Sequence, residues 1–360
     1  MERKQHDGIL LARGGSQNEW EDACAAFTDA TAFHRYDFLQ AVAASLRCQF
    51  IPLTVMFRKQ AVGVAPLLVK RLGPLSTINW APFPYLGPLV PPELIPATLC
   101  ALRLEARRLR AVNHQQSFAR LIPADSATGF ASGIDRTFVV PLDGRSDKDL
   151  LAAMSTSRRQ QVNRAIRRGF EVCAADAADF RLLEVWLRQV FAAQGMRPDY
   201  PPGALERIFG ALQDSRASAH VVRLDGRAVA VEVSISNGRR AFGWLAAADP
   251  SHRTKYPQIL LVWRRLQWAR DSGAIEFDTV GAPHEGIATY KKSFGAVERH
   301  YTVLHRQAGP HRIAFSTLSR LRSHYVGGVS IRTSTAGGPG SGPGAGPARQ
   351  DVADVGSSPR

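Results

Sequence analysis

Cysteine is scarce in this chain. The four thiols in 360 residues, at positions 24, 48, 100 and 173, form no C-x-x-C pair and have no matching histidine cluster. Neither a disulfide scaffold nor a structural zinc site is supported, and the thiols read as free ones in a reducing compartment. Other signatures are missing as well. No Gly-x-x-x-x-Gly-Lys-Ser/Thr and no Gly-x-Gly-x-x-Gly between strand and helix occur, so P-loop and Rossmann nucleotide binding lack support. The absence of a Gly-x-Ser-x-Gly elbow argues against an α/β-hydrolase. His284-Glu285 lacks the second histidine of a zinc-protease helix, position 288 being alanine, and His300, His305 and His311 have no metal-ligand helical spacing. No metal and no bound cofactor is expected.

Long apolar runs are lacking too. The N-terminus turns apolar only over Ile9–Ala12, too short for the core of a signal peptide. The longest uncharged stretch, Leu72–Pro92, carries prolines at 74, 82, 84, 88, 91 and 92, which would break a spanning helix repeatedly. It reads as a Pro-rich loop or cleft wall. No transmembrane segment is predicted, and the expected location is the cytoplasm. Acidic residues are also in deficit: 31 Asp and Glu stand against 46 Lys and Arg, a formal charge of +15. Such a balance predicts attraction to polyanions.

What is present supports a folded protein of two or three domains, with 45% apolar residues available for a core. From about Thr333 the chain turns into Gly/Pro repeats with almost nothing to bury, which predicts a disordered tail over 327–360. The first half reads as a helix over 33–46, strands over 50–57 and 61–69, the Pro-rich stretch, a helix over 96–111, and short strands near 118–122 and 137–141. A polar break at Asp143–Asp149 places a domain boundary there, giving 1–145 and 146–326. The second half opens with a basic helix over 148–168 and a strand over 170–173. Helices over 177–193 and 203–213 precede strands over 220–224, 228–236 and 240–247, joined by Asp225-Gly226 and Asn237-Gly238, dipeptides suited to hairpin turns. A helix over 258–271, with Ile259, Val262, Trp263, Leu266 and Ala269 on one stripe, leads to a strand over 274–280.

A meander followed by a helix and a further strand is the order of a Gcn5-related N-acyltransferase (GNAT) fold, of α/β (α+β) class. Lys255–Asp278 resembles the signature helix and strand of the Fem family of peptidyltransferases, which are built from two tandem GNAT-like domains. Tyr290-Lys-Lys-Ser-Phe-Gly295 resembles that family's aromatic-Lys-Arg/Lys-x-Phe-Gly element, and Ser157–Val172 resembles the basic helix opening its second domain. The first half is similar only in outline. The resemblance implies two tandem GNAT-like domains around a cleft, and transfer of an aminoacyl group from charged tRNA to an amine. The same class includes relatives labelled as acetyltransferases.

Acyl transfer requires positioning of the ester or thioester, a deprotonated amine and positive charge where the oxyanion forms. By the resemblance, Lys291 occupies the lysine of the aromatic-Lys element, suited to the oxyanion or to the donor's terminal adenosine, and Tyr290 precedes it in the substrate site. Arg158, Arg159, Arg164, Arg167 and Arg168 lie within 11 residues without an acidic partner between them. At helical spacing Arg164, Arg167 and Arg168 share a face suited to phosphates. In the loop before the signature helix, Arg253 begins as a coenzyme A cradle does, but Tyr256 and Gln258 replace its two glycines, which disfavours coenzyme A. On the strand 228–236, one face carries Ala228, Ala230, Glu232 and Ser234. Glu232 there is a candidate base for the amine, directly or through water, and Asp278 on the next strand a candidate for orienting it.

The expectation is an N-acyltransferase taking an aminoacyl group from aminoacyl-tRNA to a primary amine, in a small metabolite or a peptidoglycan precursor. The lysine that cell-wall members carry after the aromatic of the first-domain helix is missing, since Val42, Ala43 and Ala44 follow Phe38; this weakens the peptidoglycan acceptor. Two alternatives remain at this point: an acyl-CoA-dependent GNAT N-acetyltransferase, and a non-catalytic RNA-binding protein.

Overall fold

The structure, a computed structural model, describes residues 8–80, 83–192, 200–212, 216–255, 257–282 and 285–307, without the side chains of 253–255. The expected tail over 327–360, Tyr256, His284, His311 and the side chain of Arg253 lie outside the described residues.

Strands β1 (Ile9–Arg13), β2 (Gln49–Phe57), β3 (Gln60–Leu72), β4 (Leu75–Ile78), β5 (Ala111–Ser117) and β6 (Ala131–Pro141) come from the first half. Strands β7 (Glu171–Ala174), β8 (Ala217–Leu224), β9 (Arg227–Ser236), β10 (Arg240–Ala248), β11 (Glu276–Asp278) and β12 (Val297–Gln307) come from the second. All are hydrogen-bonded into one sheet in the order β1-β2-β3-β4-β5-β12-β6-β11-β10-β9-β8-β7. Two strands cross the expected boundary at 145. β6 pairs with β11 of the second half, and β12, the last described strand, lies between β5 and β6 and is antiparallel to both.

The helices are α1 (Gln17–Ala25), α2 (Tyr36–Ser45), α3 (Ile95–Arg108), α4 (Asp147–Ala153), α5 (Thr156–Arg167), α6 (Ala177–Ala192), α7 (Ala204–Gly210), α8 (Pro257–Asp271) and α9 (Glu285–Lys292). They cover both faces. Val221, Val231, Val233, Ile235, Phe242 and Trp244 pack with α2, α6 and α7, while Val222, Ala230, Ala241 and Ala248 on the other face pack with α5 and α8. Strands covered on both sides lose the alternation of apolar and polar residues, which is why β9 is buried almost throughout.

Most expected elements are present, with several differences. The basic helix expected over 148–168 is two helices. Met154 is extended (ψ 152°) and Ser155 caps α5, its hydroxyl accepting from Arg158 N at 3.4 Å. The strand expected near 118–122 lies earlier, as β5, in the polar run Asn113-His114-Gln115-Gln116-Ser117, because pairing with β4 and β12 overrides its weak propensity. The Pro-rich stretch contains β4 and then crosses β3. There Val64 and Leu89 exchange backbone hydrogen bonds of 3.0 and 2.8 Å, and this approach requires Gly63, since a Cβ at 63 would overlap the Leu89 carbonyl oxygen. The Asp225-Gly226 hairpin is as expected, with φ of 51° and 74°.

Gly63→Ala is expected to destabilise the protein by about 2–3 kcal/mol, the scale of an overpacked site. Chemical denaturation of the variant against the parent checks this.

Candidate active site at a strand fork

β10 and β11 are parallel neighbours over only three pairs, Arg240 with Glu276, Ala241 with Phe277 and Phe242 with Asp278. Beyond them β10 continues on β9 to Ala248 while β11 ends, so the two strands part at Gly243 and Thr279. A bulge at Trp244 bends β10 at the same level. The sequence expectation of a strand over 274–280 is shortened because Val280 turns left-handed, φ 58°. A β-branched residue rarely adopts this conformation without support from its surroundings.

The support comes from Lys291 on α9. Its ammonium donates to the carbonyl oxygens of Thr279 (2.8 Å), Val280 and Gly281. An ammonium has three hydrogens, and three consecutive carbonyls take them. Burial pulls the Lys291 pKa down to about 7; the Asp278 carboxylate raises it and Arg265 lowers it further. Tyr290 beside it is half-buried, and its phenol is held above the usual range by desolvation, against the lowering effect of Arg265 and Arg158.

Asp278 is fully buried at the end of β11. It accepts from the Tyr85 hydroxyl at 2.8 Å, from the Thr137 hydroxyl and from Val280 N at 2.7 Å. The Arg240 guanidinium stands 3.9 Å from it and pairs with Glu276 at 2.6 Å. Both oxygens are therefore occupied by protein donors. Burial pushes the Tyr85 hydroxyl well above its ordinary pKa, with Asp278 adding to the rise. Tyr85 sits among Phe33, Phe242 and Tyr301, ring centroids 5.1–6.2 Å away.

Glu232 is also fully buried. One oxygen is 2.9 Å from His220 Nδ1 on β8 and the other accepts from Ser234 Oγ at 2.8 Å. Ser218 Oγ lies 3.1 Å from His220 Nδ1 and 3.3 Å from Nε2. Four polar side chains on two adjacent strands thus form one network. Ser218 faces Ser234, which faces Gly243; His220 faces Glu232, which faces Ala246. Directly opposed residues share a face, so these two rows lie side by side, and Ala246 is exposed.

The arginines divide. Arg158 stacks on Tyr290 (4.7 Å) and Phe294 (5.4 Å) and donates to Ser293 Oγ and Gln161. Arg159 caps α4 through the Ala152 and Met154 carbonyls. Arg164, Arg167 and Arg168 are exposed, with no carboxylate partner among the described residues. Lys291, Tyr290, Arg158 and Asp278 therefore meet at the fork, while Arg164, Arg167 and Arg168 stand on the outer side of α5.

Sequence reasoning missed His220, Tyr85, Thr137 and Arg265. His220 had a partial signal. A two-residue turn at Asp225-Gly226 would put it opposite Val231, and a bulge between Val222 and Arg223 shifts it to Glu232. No potential metal site of three or more His, Cys, Asp or Glu occurs among the described residues, and no described helix is long and apolar enough to cross a membrane.

Comparison with known proteins agrees with this geometry. Residues 156–292 match the family described as Acetyltransferase (GNAT) domain. The fold matches the crystal structure of FemX at a TM-score of 0.63 with 15% identity, over 87% of this chain and 99% of that one. It also matches a tandem GNAT protein from the clavulanic acid biosynthesis pathway, solved without AcCoA, at TM-score 0.56, 14% identity, and 84% and 99% coverage. A third match is the C-terminal domain of a putative lysylphosphatidylglycerol synthetase from Agrobacterium fabrum, at TM-score 0.51, 14% identity, and 85% and 98% coverage. No curated protein matches the sequence. The chain is an enzyme of the acyltransferase class, carrying a GNAT domain over 156–292 in a fold of tandem GNAT type. At these identities the likeness to FemX is one of fold.

Lys291 gives a pH signature. The unfolded lysine holds its proton to about pH 10.4 and the folded one to about 7. Between these values the unfolded chain binds more protons, so this group makes stability rise with pH. Below about 7 both states are charged and its burial cost is fully present. Lys291→Met is expected to flatten the rise between pH 7 and 9.5, read from denaturation midpoints of both proteins across that range.

Proposed function

We propose that the protein transfers an aminoacyl group from aminoacyl-tRNA to a primary amine, carried by a small metabolite or a cell-wall precursor, in the cytoplasm. The observation that carries this reading is the outer side of α5. Arg164, Arg167 and Arg168 are exposed there without carboxylate partners among the described residues, on the helix whose first turn brings Arg158 onto Tyr290. Guanidinium groups so placed bind backbone phosphates while a terminal ester reaches the fork. Two of the structural neighbours named above, FemX and the putative lysylphosphatidylglycerol synthetase, add support. So does the replacement of the coenzyme A glycines by Tyr256 and Gln258.

In this reading the attacking amine gives its proton to His220, whose imidazole is backed by the buried Glu232. Lys291 and Asp278 hold the turn at 279–281 in the shape the donor meets. Tyr290 and Arg158 form the wall beside it.

The second reading, acetyl transfer from acetyl-CoA, is favoured by the description of the matched family and by the tandem GNAT neighbour. Equilibrium binding of charged tRNA, uncharged tRNA and acetyl-CoA at about 0.2 M salt, where non-specific phosphate attraction is weakened, separates the two. Preference for the charged pool with acetyl-CoA silent is expected; saturable acetyl-CoA binding without that preference would transfer the enzyme to the second reading. Replacing Arg164, Arg167 and Arg168 by Gln is expected to lower the slope of log affinity against log salt by up to about 3. An unchanged slope removes α5 from the donor site.

A further inference from the structure

One half-buried cation at the fork has no carboxylate counterpart among the described residues. Arg265 lies on α8, and its guanidinium carbon is 5.2 Å from the centre of the Phe277 ring. Its Nε is buried without a hydrogen-bond partner, and it makes no ion pair with any carboxylate among the described residues. A Cβ placed on Gly243 would stand 2.9 Å from Arg265 Nη1 and 3.2 Å from the Phe277 ring. Gly243 has no left-handed backbone to explain its lack of a side chain; the guanidinium occupies that room. The seat is therefore formed by Gly243 of β10, Phe277 of β11 and α8, at the level where the two strands separate.

We propose that Arg265 is a catalytic residue that binds the oxyanion of the acyl transfer, and that Gly243 is the residue that admits it to the fork. The inference rests on the acyl-transfer reading, with either donor. A partly buried guanidinium without a carboxylate costs stability, and such a cost is characteristic of groups kept for a ligand or transition state. Lys291, the other cation at the fork, has its hydrogens on three backbone carbonyls, which leaves Arg265 with donors to spare. Gly243 faces Ser234, whose hydroxyl holds Glu232. The guanidinium and the His220–Glu232 pair thus lie on one face of the sheet, two strands apart at most.

The amine lone pair forms the new C–N bond, and the carbonyl π pair moves onto oxygen, where Arg265 meets it. The amine passes one proton to His220. Collapse of the intermediate re-forms C=O and breaks the bond to the donor's oxygen or sulfur, which leaves with that proton.

Three variants test this: Arg265→Met, Arg265→Lys and Gly243→Ala. Arg265→Met is expected to fold with a denaturation midpoint at or above the parent's, since it removes an unpaired, half-buried charge. Its kcat should fall at least about a hundredfold, the scale of one oxyanion donor, with little change in donor KM. Arg265→Lys should recover part of the loss. Gly243→Ala displaces the end of the flexible Arg265 side chain and needs the Phe277 ring to give by only a few tenths of an ångström, so it should lower kcat while the fold holds. Near-parental turnover in Arg265→Met overturns the proposal. So does a marked loss of stability in that variant, which would make the guanidinium a structural counter-charge to Glu232.

Binding of inorganic phosphate, a tetrahedral anion, is measured in parallel at constant ionic strength on parent and Arg265→Met. Should the parent transfer from neither donor, the proposed function fails. Tighter phosphate binding by the parent would then still support the anion seat, and equal binding would overturn it.

Discussion

The two halves of the chain are held at one carboxylate. Asp278 has no solvent of its own, so every hydrogen bond it loses must be replaced by protein. Its donors come from Tyr85 in the Pro-rich segment, Thr137 on β6 and the backbone of Val280, with Arg240 of β10 nearby. Satisfying that one group fixes the Pro-rich wall against the sheet, sets where β11 stops, and forces the chain into the left-handed turn at Val280 that Lys291 then secures. The fork between β10 and β11 follows from this point.

The chemistry of the fork is asymmetric. One face of the sheet carries rings, Phe33, Phe83, Tyr85, Phe242 and Trp244, packed in tilted and edge-to-face pairs. The other carries the polar rows of β8 and β9 and the seat of Arg265. A low-dielectric wall behind a cluster of fixed dipoles and charges strengthens each electrostatic contact made there. This is the arrangement acyl transfer needs, because charge appears on a carbonyl oxygen only during the reaction.

Legibility in the sequence followed the range of the interactions. The Asp225-Gly226 turn, the stripe of α8 and the buried strand β9 are local patterns, and each is found where it was expected. β5 was misplaced because its residues are polar and its pairing comes from β4 and β12, distant in sequence. The helix break at Met154 depends on one cap, Ser155, whose N–H also bonds the Ser293 carbonyl. For the candidate site, motif and strand position singled out Lys291, Glu232 and Asp278 as candidates, but not the partners the structure gives them. His220 meets Glu232 only because a bulge moves the register by one. Arg265 was hidden because one arginine of the Arg264-Arg265 pair on an amphipathic helix looks like any solvated one until the glycine opposite is seen.

The placement of β12 reaches beyond the site, to the order in which the protein is made. The strand that separates β5 from β6 is the last described one to leave the ribosome. Until residue 307 emerges, β5 and β6 each present an edge with no neighbour, and such edges are templates for pairing with other chains. Among the described strands neither half closes its sheet alone, so synthesis proceeds with an open seam that β12 fills. Contacts this distant in sequence form slowly, and the nascent chain depends on that edge staying protected until the seam is shut.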